Sequence, residues 1–311
     1  MIDCTVVGGG PAGLNATLVL GRARRNVVLV DSDEARNKVT DASHGFITRD
    51  GVKPAEFRAL AHQEFSRYPT IQTLRDKVVE IAKEKDGFLV KTEMKKQWKT
   101  RKVILATGVK EKFPNIPNLR NFYGKSIFNC PYCDGWELRD QPLALFGIID
   151  YTLHTAEILR NWSQDLVIFT NGQEMTKSQL NEIKKTELQV ETSPIRLLIG
   201  IEGKLQKIEL ENGRVIARMG GFVTPELVQA CELGTRLGVK LNNTGGHHSD
   251  EVGKTKVHGL FVAGEASNVY PAQLIIAAAS GAEAAMAVNV ELIHEGILGS
   301  TKEDFSTPED L

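Results

Sequence analysis

A run of glycines at residues 8–13, Gly8-Gly9-Gly10-Pro11-Ala12-Gly13, restricts this 311-residue chain more than any other stretch. The apolar segment Thr5-Val6-Val7 leads into it. Helical periodicity follows from Leu14 to about Arg24, and a second apolar run, Val27–Val30, ends in Asp31. Strand, glycine turn, helix, strand and acid in that order predict a dinucleotide-binding unit. Gly8 permits a tight turn, Gly10 lets backbone approach a pyrophosphate, and Gly13 lets helix and strand close on one another. Pro11 and Ala12 open the helix, whose N–H groups and positive dipole end favour phosphate. Asp31 stands where a carboxylate can accept bonds from ribose hydroxyls. The competing reading is a glycine-rich turn of an α/β fold that holds no ligand.

The same theme recurs twice. Lys102–Leu105 reads as a strand ending in Ala106-Thr107-Gly108. Gly259–Ala263 reads as a buried strand ending in Gly264-Glu265, followed by a small-residue helix through Ala277-Ala278-Ala279, Gly281 and Ala284-Ala285. In the middle of the chain, Pro142–Phe146 (strand), Gly147–Asp150 (turn), Thr152–Trp162 (helix) and Leu166–Phe169 (strand) form a second βαβ pattern. Its turn lacks the second and third glycines. Ile148, Ile149 and Asp150 would crowd and repel a pyrophosphate, and Thr170–Glu174 offers no arginine for a 2′-phosphate, so no nicotinamide nucleotide is expected there in the usual manner. The fold class expected is α/β, with two Rossmann-like (βαβ, three-layer) domains.

Cys130-Pro131-Tyr132-Cys133-Asp134 carries the second chemical signal. Two cysteines separated by two residues can close a reversible disulfide, and the following acid can supply or hold a proton, the more usefully if burial raises its pKa. Two structural alternatives are a static bridge and half of a zinc site. Zinc would need two more ligands, for which only His247-His248 offers a pair, and adjacent residues on a strand point opposite ways. No metal is expected. His247 and His248, after Gly245-Gly246, read as loop residues or as a lid near a cofactor. Tyr132 and Trp136 bracket the pair as a docking surface or as core. Of the remaining cysteines, Cys4 reads as a small core hydrophobe of the first strand, and Cys231 as a buried residue of a helix.

The formal net charge of −1 argues against nucleic acid as a main partner. The basic run Lys95, Lys96, Lys99, Arg101, Lys102 reads as a solvated hairpin. The N-terminal residues read as a strand and not a signal peptide, and no apolar run is seen to approach the ~18 residues of a membrane span. The expected setting is therefore the cytoplasm, with no membrane association.

Taken together, Gly8–Gly13, Ala106-Thr107-Gly108, Cys130–Asp134, Gly259–Glu265 and Pro271-Ala272-Gln273-Leu274 resemble the low-molecular-weight thioredoxin reductases, in family order over nearly the whole chain. The resemblance implies an FAD domain split into residues 1–111 and 223–311, with an inserted redox-dithiol domain at 112–222, and a homodimer. It implies that Gly264 and Glu265 cap the FAD ribityl and phosphate region, that Gln273 lies near the flavin ring, and that Leu274 belongs to the same cofactor-binding set. It also implies that Cys133 faces the flavin and Cys130 the substrate, although the reverse order stays open. With the glycine-poor turn, the chain resembles two atypical branches. One holds reductases fed by ferredoxin or another donor, acting on a thioredoxin-like protein; the other holds dithiol oxidases that pass electrons from a small dithiol to oxygen. Asp134 favours the reductase branch, since the oxidases usually carry a His there. A non-catalytic flavin-binding scaffold is the third reading. Cys-Pro-Tyr-Cys also resembles the glutaredoxin site, a fold too small to explain the rest of the chain.

Overall fold

A computed structural model describes residues 1–147, 152–186 and 188–303. Ile148, Ile149 and Asp150, on which the expectation of a degenerate nucleotide turn rests, lie outside the described residues. The chain forms two compact units, residues 1–36, 55–110 and 229–311 in the first and 37–54 and 111–228 in the second.

The first unit is built on a seven-stranded sheet. Ile71–Arg75, Val27–Asp31, Ile2–Val7 and the C-terminal half of Gln97–Leu105 run parallel, and Leu260–Val262 adds to Gln97–Leu105 in parallel. Gln97–Leu105 is long enough to play two parts, because its N-terminal half pairs antiparallel with Gly87–Thr92, which in turn pairs with Val78–Glu84. The central parallel strands are mostly apolar and buried, as strands covered on both faces must be, while the edge strand Ile71–Arg75 is largely polar and exposed. The helices Pro11–Arg22 and Leu274–Glu303 bury Leu14, Leu20, Ala284, Ala285 and Val288 against one face, and Leu233 and Val239 help to close the other. The two helices approach closely because Gly281 has no side chain; a Cβ there would stand 2.0 Å from the carbonyl oxygen of Ala12.

The second unit repeats the parallel arrangement in five strands, ordered Gln189–Glu191, Leu166–Phe169, Leu143–Phe146, Gly220–Val223, Ile127–Phe128. The helix Thr152–Leu159 makes the crossover between the second βαβ strands. A three-stranded antiparallel sheet, Ile195–Ile201, Lys204–Leu210, Val215–Ala217, completes it. Both units are thus α/β, with the Rossmann-like pattern expected.

Four details differ from the sequence reading. Residues 37–54 group with the second unit: the Val39 carbonyl lies over Gly124, and His44 meets Glu137. Lys102 is no solvated hairpin residue; it is 1% exposed, with its ammonium held by Glu291 at 2.6 Å and by Glu295, while Arg101 binds Glu295 at 2.9 Å. These same carboxylates gather with His258 into a potential cation cluster, which Lys102, Arg101 and Lys254 already neutralise. Cys231 is half-buried and lies before the short helix Leu233–Arg236 rather than within a helix. Finally, Leu274–Ile297 is long and apolar enough, by length and composition, to cross a membrane, although one side of it packs on the first unit's core. Cys4 is fully buried in the first strand, as expected, and burial pushes its thiol pKa up.

Candidate active site

Ile2–Val7, Val27–Asp31, Gln97–Leu105 and Leu260–Val262 all end at the same edge of the sheet. Their common direction therefore brings together Gly8–Gly13, Asp31, Ala106-Thr107-Gly108 and Gly264-Glu265, which the sequence scatters over some 250 residues. Gly8 donates its N–H to Val30 O at 2.8 Å. It holds φ +109°, and a Cβ there would lie 2.3 Å from Ala106 O; at Gly13 a Cβ would lie 1.8 Å from Gly8 O. Gly10 behaves differently. It caps the helix in extended conformation without a side-chain bond, Pro11 takes the first helical position, and a Cβ on Gly10 would meet no atom within 4 Å. The helix start is an open rim of backbone donors, the form that anion binding requires.

Asp31 reaches back over this rim: a Cβ on Gly9 would stand 2.2 Å from its Oδ2. Gly9 is thus part of the site, a role the run of three glycines could have suggested. Asp31 Oδ1 accepts the Asp33 N–H at 3.2 Å, and Arg58 faces Asp31 at 3.8 Å and Asp33 at 2.5 Å. A cleft of about 260 Å³ lined by Asp31, Asp33, Arg58, His62 and Arg75 opens beside them. Nothing in the local sequence singles out Arg58. Ala106 donates to Val7 O at 2.9 Å, and Gly108 O accepts the Ala230 N–H at 3.2 Å. The Thr107 hydroxyl is buried without a hydrogen-bond partner among the described residues. Gly264 holds φ +64° and donates to Ser280 Oγ at 3.0 Å, and Glu265 is ion-paired to Arg36. Gln273 is half-buried just before the long helix and accepts the Ala277 N–H at 2.9 Å; Leu274 is the first helical residue.

The dithiol lies in the second unit. Cys130 and Cys133 form a disulfide with Cα atoms 5.3 Å apart. Cys130 precedes the single turn Pro131–Asp134, and the N–H groups of Cys133 and Asp134 both donate to its carbonyl at 3.2 Å. This turn is why two intervening residues suffice: it brings positions i and i+3 onto one side. Both cysteines are half-buried, Tyr132 and Trp136 are each 64% exposed, and Arg139 stacks over the Trp136 ring at 4.1 Å. Tyr132 also meets Trp162 edge-on at 5.8 Å. The aromatic pair is surface, not core.

Asp134 is buried. Loss of water, and then the charge of Glu137, push its pKa up to about 7. It can therefore give or take a proton near neutrality, when thiols and thiolates exchange. Glu137 is itself within 3.5 Å of His44, which faces Asp50 at 3.5 Å.

Residues 2–282 match the pyridine nucleotide-disulphide oxidoreductase family. The chain belongs to this family. Thioredoxin reductase aclD of Aspergillus oryzae is 36% identical over 68% of the chain and 71% of its own length. A Bacillus anthracis structure solved as thioredoxin reductase TrxB is 45% identical, with TM-score 0.91 over 95% of this chain and 99% of that one. The crystal structure of HlmI is 34% identical, with TM-score 0.92 over 97% of this chain and 96% of that one. This pyridine nucleotide-disulphide oxidoreductase is an enzyme of the thioredoxin reductase-like class, and its half-buried disulfide beside a near-neutral acid is the form such chemistry takes.

His247 and His248 lie outside the named strands and helices, as the loop reading expected. His247 is fully buried in the first unit, its ring against the Ala266 carbonyl, and is closed to an incoming thiol; His248 is exposed.

Proposed function

We propose that the protein is an FAD-dependent disulfide oxidoreductase that moves electrons between FAD, the Cys130/Cys133 pair and the disulfide of a thioredoxin-like protein, without NADPH. The Cys130–Cys133 disulfide next to an acid titrating near neutrality carries the reading. Its FAD part is supported by the open Gly10 rim, Asp31 at its edge and the unpartnered Thr107 hydroxyl, a donor set that suits a dinucleotide. Gly8, Gly10, Pro11, Ala12 and Gly13 would hold the pyrophosphate, Asp31 a ribose, and Ala106-Thr107-Gly108 with Gly264, Glu265, Gln273 and Leu274 the remainder. Bound there and first reduced by two electrons from its donor, FAD would pass those two electrons on to open the disulfide.

In the reduced pair, one thiolate attacks a sulfur of the partner disulfide, forming a mixed disulfide and expelling a partner thiolate, which takes up a proton. The second cysteine then attacks the mixed disulfide, restoring Cys130–Cys133 and releasing the second partner thiol. Two electrons and two protons pass to the partner. Asp134 is placed in sequence and in pKa to carry one of those protons. The exposed Tyr132 and Trp136 supply an apolar landing surface beside the sulfurs.

The absence of NADPH is inferred from the sequence Gly147-Ile148-Ile149-Asp150, and ferredoxin is the donor proposed in its place. We also propose a homodimer. Along the long helix, Ile275, Met286, Val290, Ile293 and Ile297 are exposed. The stripe is symmetric about Met286: Ala282 and Val290 stand four residues away, Ala279 and Ile293 seven, Ile275 and Ile297 eleven. An antiparallel second copy would therefore lay the stripe on itself, the isologous contact of a two-fold dimer.

Anaerobic titration of the oxidised flavin tests the redox proposal. Reduced ferredoxin is expected to bleach it and NADPH and NADH to leave it oxidised at micromolar levels. Bleaching by NADPH would overturn the donor assignment. Reduction by a small dithiol, with peroxide formed on admitting air, would point to the oxidase reading instead.

A further inference from the structure

The redox chemistry leaves His247, in the Gly245-Gly246-His247-His248 motif, without a task, and its surroundings give it one. Two donors from this residue converge on a single acceptor: the backbone N–H reaches Ala266 O at 2.8 Å and ring Nδ1 reaches the same oxygen at 3.0 Å. A carbonyl oxygen only accepts, so Nδ1 carries the proton and Nε2 holds a lone pair. Nε2 is buried without a hydrogen-bond partner among the described residues. Its seat is made by Gly234, where a Cβ would stand 2.2 Å from Nε2 and would expel the ring. Burial also pulls the imidazole pKa down, which keeps this neutral tautomer in place.

Ala266 ends the short turn Gly264–Ala266, and neighbouring groups grip the same place. Asn242 Nδ2 donates to Ser267 O at 3.2 Å while its Oδ1 accepts the Gly246 N–H at 3.0 Å, and Ser249 bonds Ser267 through their hydroxyls at 3.0 Å. From the other side, Ser280 holds the Gly264 N–H at 3.0 Å and Arg36 holds the Glu265 carboxylate. We propose that His247 is a positioning residue that locks the Gly264–Ala266 turn through the Ala266 carbonyl and thereby sets Glu265 for the flavin. This rests on the FAD reading above. The physical need is plain: a group that binds a cofactor at a strand end works only if its own backbone is held to a fraction of an ångström. His248, exposed and one residue on, has no part in it.

The test compares His247→Asn, whose amide nitrogen falls near the position of Nδ1, with His247→Gln, whose amide falls near Nε2. His247→Leu replaces H247Q should that variant not fold, and His248→Leu is the control. Apoprotein stripped of flavin is titrated with FAD and the visible circular dichroism of the bound flavin recorded; amide exchange across residues 264–268 is followed without FAD. H247N is expected to keep FAD affinity within about threefold and to keep the protection. H247Q is expected to lose about tenfold in affinity, as loss of a buried bond predicts, with altered flavin dichroism and faster exchange at 264–268. Equal behaviour of H247Q and H247N, or wild-type affinity and exchange in H247Q, would overturn the proposal. If the wild-type protein takes up no FAD, the cofactor reading fails, and the amide exchange still decides whether His247 locks the turn.

Discussion

Asp134 shows how far one side chain's environment can change its use. Its ordinary carboxyl would be ionised at any pH the enzyme meets, yet burial and Glu137 move its titration to about 7. The folded protein therefore holds a proton that the unfolded chain has already released, between about 3.8 and about 7. Stability supplied by this group is complete below that window and is lost as pH rises through about 7. Asp134→Asn should accordingly raise the melting temperature relative to the wild type at pH 8–9, raise it by a smaller amount at pH 5, which lies inside the window, and leave it nearly unchanged below about pH 3.8. The same variant should slow disulfide exchange about 100-fold at pH 7 and erase a limb near pH 7 from the rate profile. A melting difference independent of pH, or an unchanged rate profile, would remove Asp134 from the proton's path. Its candidacy was legible because it follows Cys133; its pKa was not, because burial is a property of the folded surroundings. His247 was less legible still, since Ala266 and Gly234 define its role and neither is a sequence neighbour.

At the scale of elements, glycines separate two functions that look alike in the sequence. Gly281 serves packing: Gly281→Ala would drive a Cβ into Ala12 O at 2.0 Å and should cost about 1–3 kcal/mol as well as FAD retention. Gly10 serves the ligand: Gly10→Ala points into open space, so denaturant midpoints should stay near wild type while FAD binding weakens. Chemical denaturation with flavin titration distinguishes them; equal loss of stability in both variants would refute the distinction. The periodic patterns announced the principal strands and helices of the βαβ segments, because strands buried on both faces must be apolar throughout. Lys95, Lys96 and Lys99 are exposed on their hairpin as expected, but Lys102 misled for the complementary reason. Its charge suggests solvent, but Glu291 and Glu295, some 190 residues away, meet it inside.

For the whole molecule, the exposed stripe about Met286 is the feature with the widest consequence. Met286→Glu should convert a dimer into a monomer in light scattering at micromolar concentration without altering the flavin spectrum. A wild-type protein that is monomeric, or that floats with lipid vesicles through this helix, would replace the dimer by another occupant of the stripe. The sequence by itself determined the α/β class, the glycine rim with Asp31, and the dithiol with its adjacent acid, because each is a local pattern whose chemistry depends on spacing along the chain. Tertiary structure alone decided that residues 37–54 join the dithiol unit, that Lys102 is buried and that His247 grips Ala266. It likewise decided that four strand ends separated by some 250 residues meet at one edge. The physical reason is that pairing, burial and dielectric are set by what folds against a residue, and those partners are distant in sequence.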